Sequence, residues 1–362
     1  MSAADQNVRP DDVVATWADA ERAVLPPLIV LEGLSPYVPG EGEISVARLG
    51  TGHSNETFLV SRDGQDYVLR RPPRPPIPPT AHDVVRESRI LAALSSTGVR
   101  APRPLVVHGE PDAIGAPFYL MEQVPGVVIR DRMPAALDDP QGRREAVSEF
   151  VEAVVEVHAV DWRGTELESI GRPSGYLERQ LRRWTSQWEH NQTRPVPEVE
   201  AIGRWLADNR PEVEATSVVH GDAKLDNAIY GEERPVHLAA LVDWEMATLG
   251  DPLADLGLLC GTYVEPGEVP DPVFGFSPAT SAAGSPTRSE IAAWYEERSG
   301  RDVSHLGWYE VLALWKIVIL LEGSYKRFVA GTTHDPFFTL LEDGIPRMAT
   351  ILLERTRTIG VR

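Results

Sequence analysis

Two apolar runs in the chain each carry polar side chains at one end. Val218-Val219-His220-Gly221 is followed by Asp222 and, five residues on, by Asn227; Leu241-Val242 is followed by Asp243. A carboxylate, an amide oxygen and a second carboxylate are the parts that phosphoryl transfer from a nucleoside triphosphate needs. One acid orients and deprotonates an acceptor hydroxyl, and the other two oxygens hold a divalent cation. Between them, Gly231-Glu232-Glu233-Arg234-Pro235 reads as a turn joining two strands. A hairpin there would fold Asp243 back beside Asn227, so that both could hold one metal ion. The competing interpretation is two buried strands with incidental polar ends. Three suitably typed groups at that spacing weigh against it.

Other elements must position these groups. Glu43 to Gly50 alternates apolar and polar residues, as a half-buried strand does, and Leu25 to Leu34 reads as a short helix. Gly50-Thr51-Gly52-His53-Ser54-Asn55 then forms a small polar turn into Phe58-Leu59-Val60, a loop whose backbone amides can reach phosphates. Asp63-Gly64 signals a hairpin, and Tyr67 to Arg70 is the third strand. Six prolines between Pro72 and Pro79 impose a stiff extended segment. Helical spacing from Val84 to Leu94 predicts a helix with Gly98 as its stop. Val106–His108 and Phe118–Met121 are further strands.

From Gly142 onward the periodicity becomes helical. Val147, Phe150, Val151, Val154, Val155 and His158 share one face, which makes His158 a core histidine. Tyr176 to His190 is a helix with Trp184 and Trp188 four apart, a spacing that suits core packing. Thr287-x-x-Glu290 is a capping box for a helix ending at Gly300, and Leu312 to Leu321 is a buried helix. Gly267 to Pro286, rich in Pro, Gly and Ser, is the segment expected to be most mobile, and residues 1–20 read as a loose arm.

His220-Gly221-Asp222-x4-Asn227 has the order and spacing of a protein-kinase catalytic loop, with Gly221 where protein kinases carry arginine. With Asp243-Trp244-Glu245-x4-Gly250-Asp251-Pro252-x2-Asp255-Leu256-Gly257, it resembles the aminoglycoside phosphotransferase/choline kinase superfamily. Three further stretches are similar to the branch fused in animals to acyl-CoA dehydrogenases. They are Leu69-Arg70-Arg71-Pro72-Pro73, Glu178-Arg179-Gln180-Leu181-x2-Trp184-x2-Gln187-Trp188 and Glu322-Gly323-x-Tyr325-Lys326-Arg327. The likeness runs from about Leu49 to the C-terminus.

The resemblance implies an α+β, two-lobed protein-kinase-like fold. After the arm come a small antiparallel-sheet lobe over 21–123 and a mostly helical lobe over 124–362. It implies ATP and Mg²⁺, with Asp222 as base and Asn227 and Asp243 on the metal. Gly50, Gly52, Ser54 and Asn55 would cover the phosphates. Arg70 stands where most of the superfamily carries a lysine, and would steady the α/β-phosphates with Glu87 as its partner. A planar guanidinium differs from an ammonium in reach and geometry, and the alternative for Arg70 is a surface cation. Met121, Glu122 and Val124 would form the hinge whose backbone bonds adenine; Met121 serves equally well as ordinary core. Lys224 would contact the γ-phosphate or a substrate anion, or else be solvated. Asp251 would cap the following helix, and Asp255 would brace the catalytic loop.

Composition sets outer bounds. The 362 residues are 42% hydrophobic and 25% charged, ordinary for a globular chain. A net charge of −19 disfavours nucleic acid as a partner. No apolar run is long enough to span a membrane, and the polar, acidic N-terminus is unlike a secretory signal. The single cysteine, Cys260, has apolar neighbours and fits a reducing, cytoplasmic setting. Lys224, Lys316 and Lys326 are the only lysines.

The expected partner is a small-molecule hydroxyl acceptor: a hydroxyacyl thioester or, alternatively, an aminoglycoside. A third possibility is a weakly active nucleotide-binding pseudokinase. Against the acidic background, Arg172, Arg179, Arg182, Arg183 and Arg194 form a local basic cluster, and three of them can share one helix face. That cluster favours an anionic acceptor, unless the arginines merely pair with surrounding acids.

Overall fold

A computed structural model describes residues 27–49, 55–73, 82–212, 215–273, 275–332 and 336–359. The chain divides after Pro125 into two compact units.

The first unit begins with helix α1 (Pro27–Leu34), followed by strands β1 (Ile44–Arg48), β2 (Glu56–Arg62) and β3 (Gln65–Arg71). Helix α2 (Val84–Leu94) and strands β4 (Pro104–His108) and β5 (Phe118–Glu122) complete it. The five strands form one antiparallel sheet in the order β1-β2-β3-β5-β4. Asp63 and Gly64 both have positive φ, 52° and 75°, and close the β2–β3 hairpin at the Arg62–Gln65 pair. This is the two-residue turn that an Asp-Gly pair favours. Strand alternation sends Phe58, Val60, Leu69, Phe118 and Leu120 into a core with Leu34 and Ile114. The opposite face therefore carries Val68 and Arg70, cross-strand from Met121 and Tyr119.

Helix α2 stops at Leu94, short of the predicted Gly98. The hydroxyls of Ser95, Ser96 and Thr97 donate to the carbonyls of Leu91, Ala93 and Leu94 at 2.7–2.9 Å. Those bonds satisfy the orphaned acceptors of the last turn before the glycine is reached. Most of the proline-rich segment lies outside the described residues.

The second unit contains strand β6 (Val127–Val128) and helices α3 (Pro140–His158), α4 (Tyr176–Asn191) and α5 (Pro197–Asp208). Strands β7 (Ser217–Val219), β8 (Ala228–Tyr230), β9 (Leu238–Leu241) and β10 (Thr248–Gly250) follow. Helices α6 (Leu253–Thr262), α7 (Arg288–Ser299), α8 (Leu306–Val329) and α9 (Leu341–Thr358) close the chain. The predicted buried helix extends beyond Leu312–Leu321 at both ends and forms the axis of the core. Its indoles are polar anchors as well as bulk: Trp308 and Trp315 donate to the carbonyls of Leu206 and Val199 at 3.1 and 2.9 Å. Gly257 lets α6 approach α8 closely, since a Cβ there would meet the Tyr309 backbone at 2.6 Å. The capping box at Thr287 and Glu290 is formed, and α7 ends on Gly300 with φ 66°. No helix among the described residues is long and apolar enough to cross a membrane.

Candidate active site

Two short ladders set the polar groups in place. β7 pairs antiparallel with β10, Val219 opposite Thr248. β8 pairs with β9, Ala228 opposite Leu241. The amide of Val242 donates to the Asn227 carbonyl at 2.9 Å, so Asp243 follows the residue paired with Asn227. The hairpin inferred from Gly231–Pro235 thus brings the two backbones together. Asp243 has φ 68°, an unusual left-handed conformation for a non-glycine residue and of a kind that clusters at functional sites. The Trp244 indole, 1% exposed, donates to the Leu241 carbonyl at 2.8 Å and locks that turn.

The 220–227 loop is held from several directions. Asp255, 1% exposed, accepts from the backbone amides of His220 at 2.7 Å and Gly221 at 2.8 Å. The same carboxylate accepts from His158 Nε2 at 3.1 Å, and the other nitrogen of His158 meets the Tyr295 hydroxyl at 2.8 Å. His158 is therefore a satisfied buried residue that supports Asp255. Burial alone would raise the Asp255 pKa, but the His158 contact and these donors outweigh it and hold the carboxyl below the usual range. The His220 ring links Val242 O, 3.0 Å from Nε2, to the Asp222 amide, 3.3 Å from Nδ1. Gly221 has φ 81°, and a Cβ there would lie 2.5 Å from the Met246 carbonyl oxygen. A side chain at this position would strain the backbone and collide with it.

Asn227 Nδ2 donates to the Asp222 carboxylate at 2.7 Å and to its carbonyl at 2.8 Å. Lys224 Nζ sits 3.4 Å from Asp222 Oδ2 and 3.8 Å from Asp226 Oδ2, so it is paired and not a freely solvated lysine. Burial would depress its ammonium, yet the charges of Asp222, Asp226 and Asp243 outweigh that and raise its pKa. Burial, helped by the charge of Asp222, raises the pKa of Asp226 despite the opposing pull of Lys224. Asp251 accepts from the Leu253 amide at 3.0 Å and from the Tyr309 hydroxyl at 2.9 Å, which ties the start of α6 to α8.

In the first unit, Arg70 Nη1 and Glu87 Oε1 meet at 2.9 Å, with side chains 7% and 1% exposed. Arg70 is thus a buried, paired cation and not a surface one. Met121 is buried on β5. The Glu122 amide is committed to the Arg103 carbonyl at 3.0 Å, and its carboxylate accepts from the Arg103 amide. Val124 is half-buried, and Asn55 is buried. Gly50, Gly52 and Ser54 lie outside the described residues.

Residues 45–293 match the phosphotransferase enzyme family. The chain belongs to that family. A candidate aminoglycoside phosphotransferase from Ralstonia eutropha superposes with a TM-score of 0.76 at 30% identity, covering 91% of this chain and 98% of that one. An aminoglycoside phosphotransferase solved with ADP and hygromycin B shares the kinase-like fold, at TM-score 0.56 and 16% identity over 86% of this chain and 93% of that one. Mouse acyl-CoA dehydrogenase family member 10 is 34% identical over 83% of this chain but only 28% of its own length. A rat relative, acyl-CoA dehydrogenase family member 11, is 32% identical over 84% of this chain and 40% of its own length. The chain thus spans well under half of these curated relatives.

The donor set of this phosphotransferase fits a magnesium ion. Asn227 is anchored through Nδ2, and its Oδ1 accepts no hydrogen bond among the described residues. Among those residues no group of three or more His, Cys, Asp or Glu is arranged to hold a metal by itself. Mg²⁺ is commonly held by one or two protein oxygens, with substrate phosphates and water supplying the rest.

Other features of the phosphotransferase were not legible beforehand. Asp226 shares Lys224 with Asp222 but lies inside the motif's spacer, where spacing alone does not mark it. The basic cluster is largely spent locally. Arg179 folds back on the Ser174 and Arg172 carbonyls, Arg182 pairs with Glu178 at 3.2 Å, and Arg194 is 3.5 Å from Glu322. The Glu322–Arg327 motif is a clasp. Glu322 is fully buried and accepts from the Thr193 amide and hydroxyl at 2.8 and 2.6 Å, and Lys326 donates to the His190 carbonyl. Cys260 is fully buried, and burial pushes its thiol up to about 12, so it is not a nucleophile.

Proposed function

We propose that the protein transfers the γ-phosphoryl group of ATP, with Mg²⁺, to a hydroxyl of a small molecule. The observation that carries this is the Asp222–Asn227–Asp243 constellation, with Lys224 3.4 Å from Asp222. Asp222 takes the acceptor proton as the new oxygen–phosphorus bond forms and the bond to the β-phosphate oxygen breaks, releasing ADP. Asn227 and Asp243 hold the metal, which when bound neutralises phosphate charge. Lys224 offsets charge around Asp222 and the incoming phosphate. Arg70, oriented by Glu87, steadies the α/β-phosphates together with Gly50, Gly52, Ser54 and Asn55. The backbone near Met121, Glu122 and Val124 holds adenine. Retention of every acid and amide that this chemistry needs argues against a pseudokinase.

For the acceptor we favour a hydroxyacyl thioester. The curated relatives are named as acyl-CoA dehydrogenase family members, and a kinase segment within such a protein would act on a related metabolite. An aminoglycoside is the second candidate, because the structural neighbour at 30% identity carries that description. ADP release with matched panels of hydroxyacyl-CoA and aminoglycoside acceptors separates them. Turnover of kanamycin-like compounds with none of hydroxyacyl-CoA would reverse the choice of acceptor and leave the kinase assignment standing.

A further inference from the structure

The three lysines differ sharply in how they are used. Lys224 is paired with two carboxylates, and Lys326 donates to a backbone carbonyl. Lys316, half-buried on α8, makes no hydrogen bond or ion pair among the described residues. Its ammonium lies over the face of Trp184 on α4, with Nζ 5.5 Å from the ring centroid. Arg183 approaches the same indole, its guanidinium carbon 5.9 Å from the centroid, and it too has no hydrogen bond or ion pair there. Arg179, Arg182 and Arg194, from the same cluster, are engaged elsewhere. Two uncommitted cations therefore converge on one buried tryptophan, within electrostatic reach of Asp222.

Keeping an ammonium half out of water without an anion costs stability. A folded chain bears that cost most readily where a ligand supplies the missing charge. We propose that Lys316, with Arg183 and the Trp184 face, forms the subsite that binds an oxyanion group of the acceptor, leaving the acceptor hydroxyl to Asp222. This deepens the phosphotransferase assignment and rests on it. Cations at this place select against polycationic acceptors and in favour of phosphate- or carboxylate-bearing ones.

Burial pushes the Lys316 pKa down to about 8, with Arg183 of α4 adding to the fall. Asp255 of α6 and Asp222 of the catalytic loop pull it up. An anion subsite built on this ammonium loses affinity as pH rises through about 8, well before an ordinary lysine would discharge.

The test is calorimetry on the full chain with two probes, coenzyme A for the phosphate source and 3-hydroxybutyrate for the carboxylate source. ATP is titrated in parallel. Lys316→Met is expected to weaken the bound probe about 10- to 100-fold, the weight of a charge-assisted hydrogen bond. ATP affinity should hold, the melting temperature of the Met variant should not fall, and Lys316→Arg should restore binding. Wild-type affinity should fall between pH 7 and 9.5, while the Met variant should show no such dependence. Equal probe affinity in wild type and Lys316→Met, or binding of neither probe by a wild type that binds ATP, overturns the inference. Failure of ATP itself to bind tells instead against the phosphotransferase assignment, and the probe titrations still judge Lys316.

Discussion

Asp255→Asn offers the most direct test of how the catalytic loop is held. The carboxylate faces three donors: the His220 amide at 2.7 Å, the Gly221 amide at 2.8 Å and His158 Nε2 at 3.1 Å. An asparagine has the same shape but a single acceptor oxygen. Whichever way the amide turns, one backbone N–H of the loop faces another donor inside the protein. An orphaned buried donor costs about 1–3 kcal/mol, and the remaining bonds lose roughly 1 kcal/mol each when the acceptor becomes neutral. The easier desolvation of a neutral amide returns part of this, leaving a net loss of about 3 kcal/mol and a melting temperature lower by roughly 5–10 °C.

His220 and Gly221 immediately precede Asp222, so the displaced loop also misplaces the base. A shift of about 1 Å costs on the order of 10²-fold in rate. The pH dependence has a definite sign. The folded carboxyl titrates below its ordinary value, so its stabilisation is complete above an unfolded-state pKa of about 3.9 and is lost as pH falls through the folded value. Wild-type and variant melting temperatures should run parallel from pH 8 to 5 and converge below about pH 4. Circular-dichroism melts and ADP release provide both readouts. A variant that melts within about 1 °C of wild type and keeps its turnover would refute the assignment of Asp255 as the brace.

Three further outcomes are expected. Asp222→Asn should lower phosphoryl transfer by roughly 10² or more while leaving ATP affinity intact; wild-type turnover in that variant would remove Asp222 as the base. Asp243→Ala should abolish the Mg²⁺ dependence of ATP binding in calorimetry, and an unchanged Mg²⁺ titration would mean that the residue serves only the turn. Arg70→Met and Glu87→Gln should each weaken ATP binding, and both should destabilise the fold by about 3–5 kcal/mol, because each removes one partner of a buried ion pair. The double variant should recover part of that loss, whereas simple additivity would mean that the 2.9 Å pair does not couple.

Much of the site was legible because its information is local. The Asp222-to-Asn227 spacing is contained within one loop, and the turn at Gly231–Pro235 returns the chain over a few residues. Asp63-Gly64, the Thr287–Glu290 box and the alternation along β3 are likewise short-range patterns with one physical solution each. The pairing of Arg70 with Glu87 followed from the family resemblance and is realised because β3 alternation and the turns of α2 aim both side chains inward. What sequence alone left open depends on residues distant in the chain. The spacing of Arg179, Arg182 and Arg183 allows one basic helix face, but backbone carbonyls take up Arg179 and Glu178 takes up Arg182, while Glu322 takes up the neighbouring Arg194. The Glu322–Arg327 motif carries the family resemblance in sequence, and its role as a clasp on residues 190–194 exists only in the folded chain. Lys316 stood out only as one of three lysines. Its unsatisfied charge beside Trp184 exists because α8 packs on α4, a contact across more than 130 residues that no local pattern encodes.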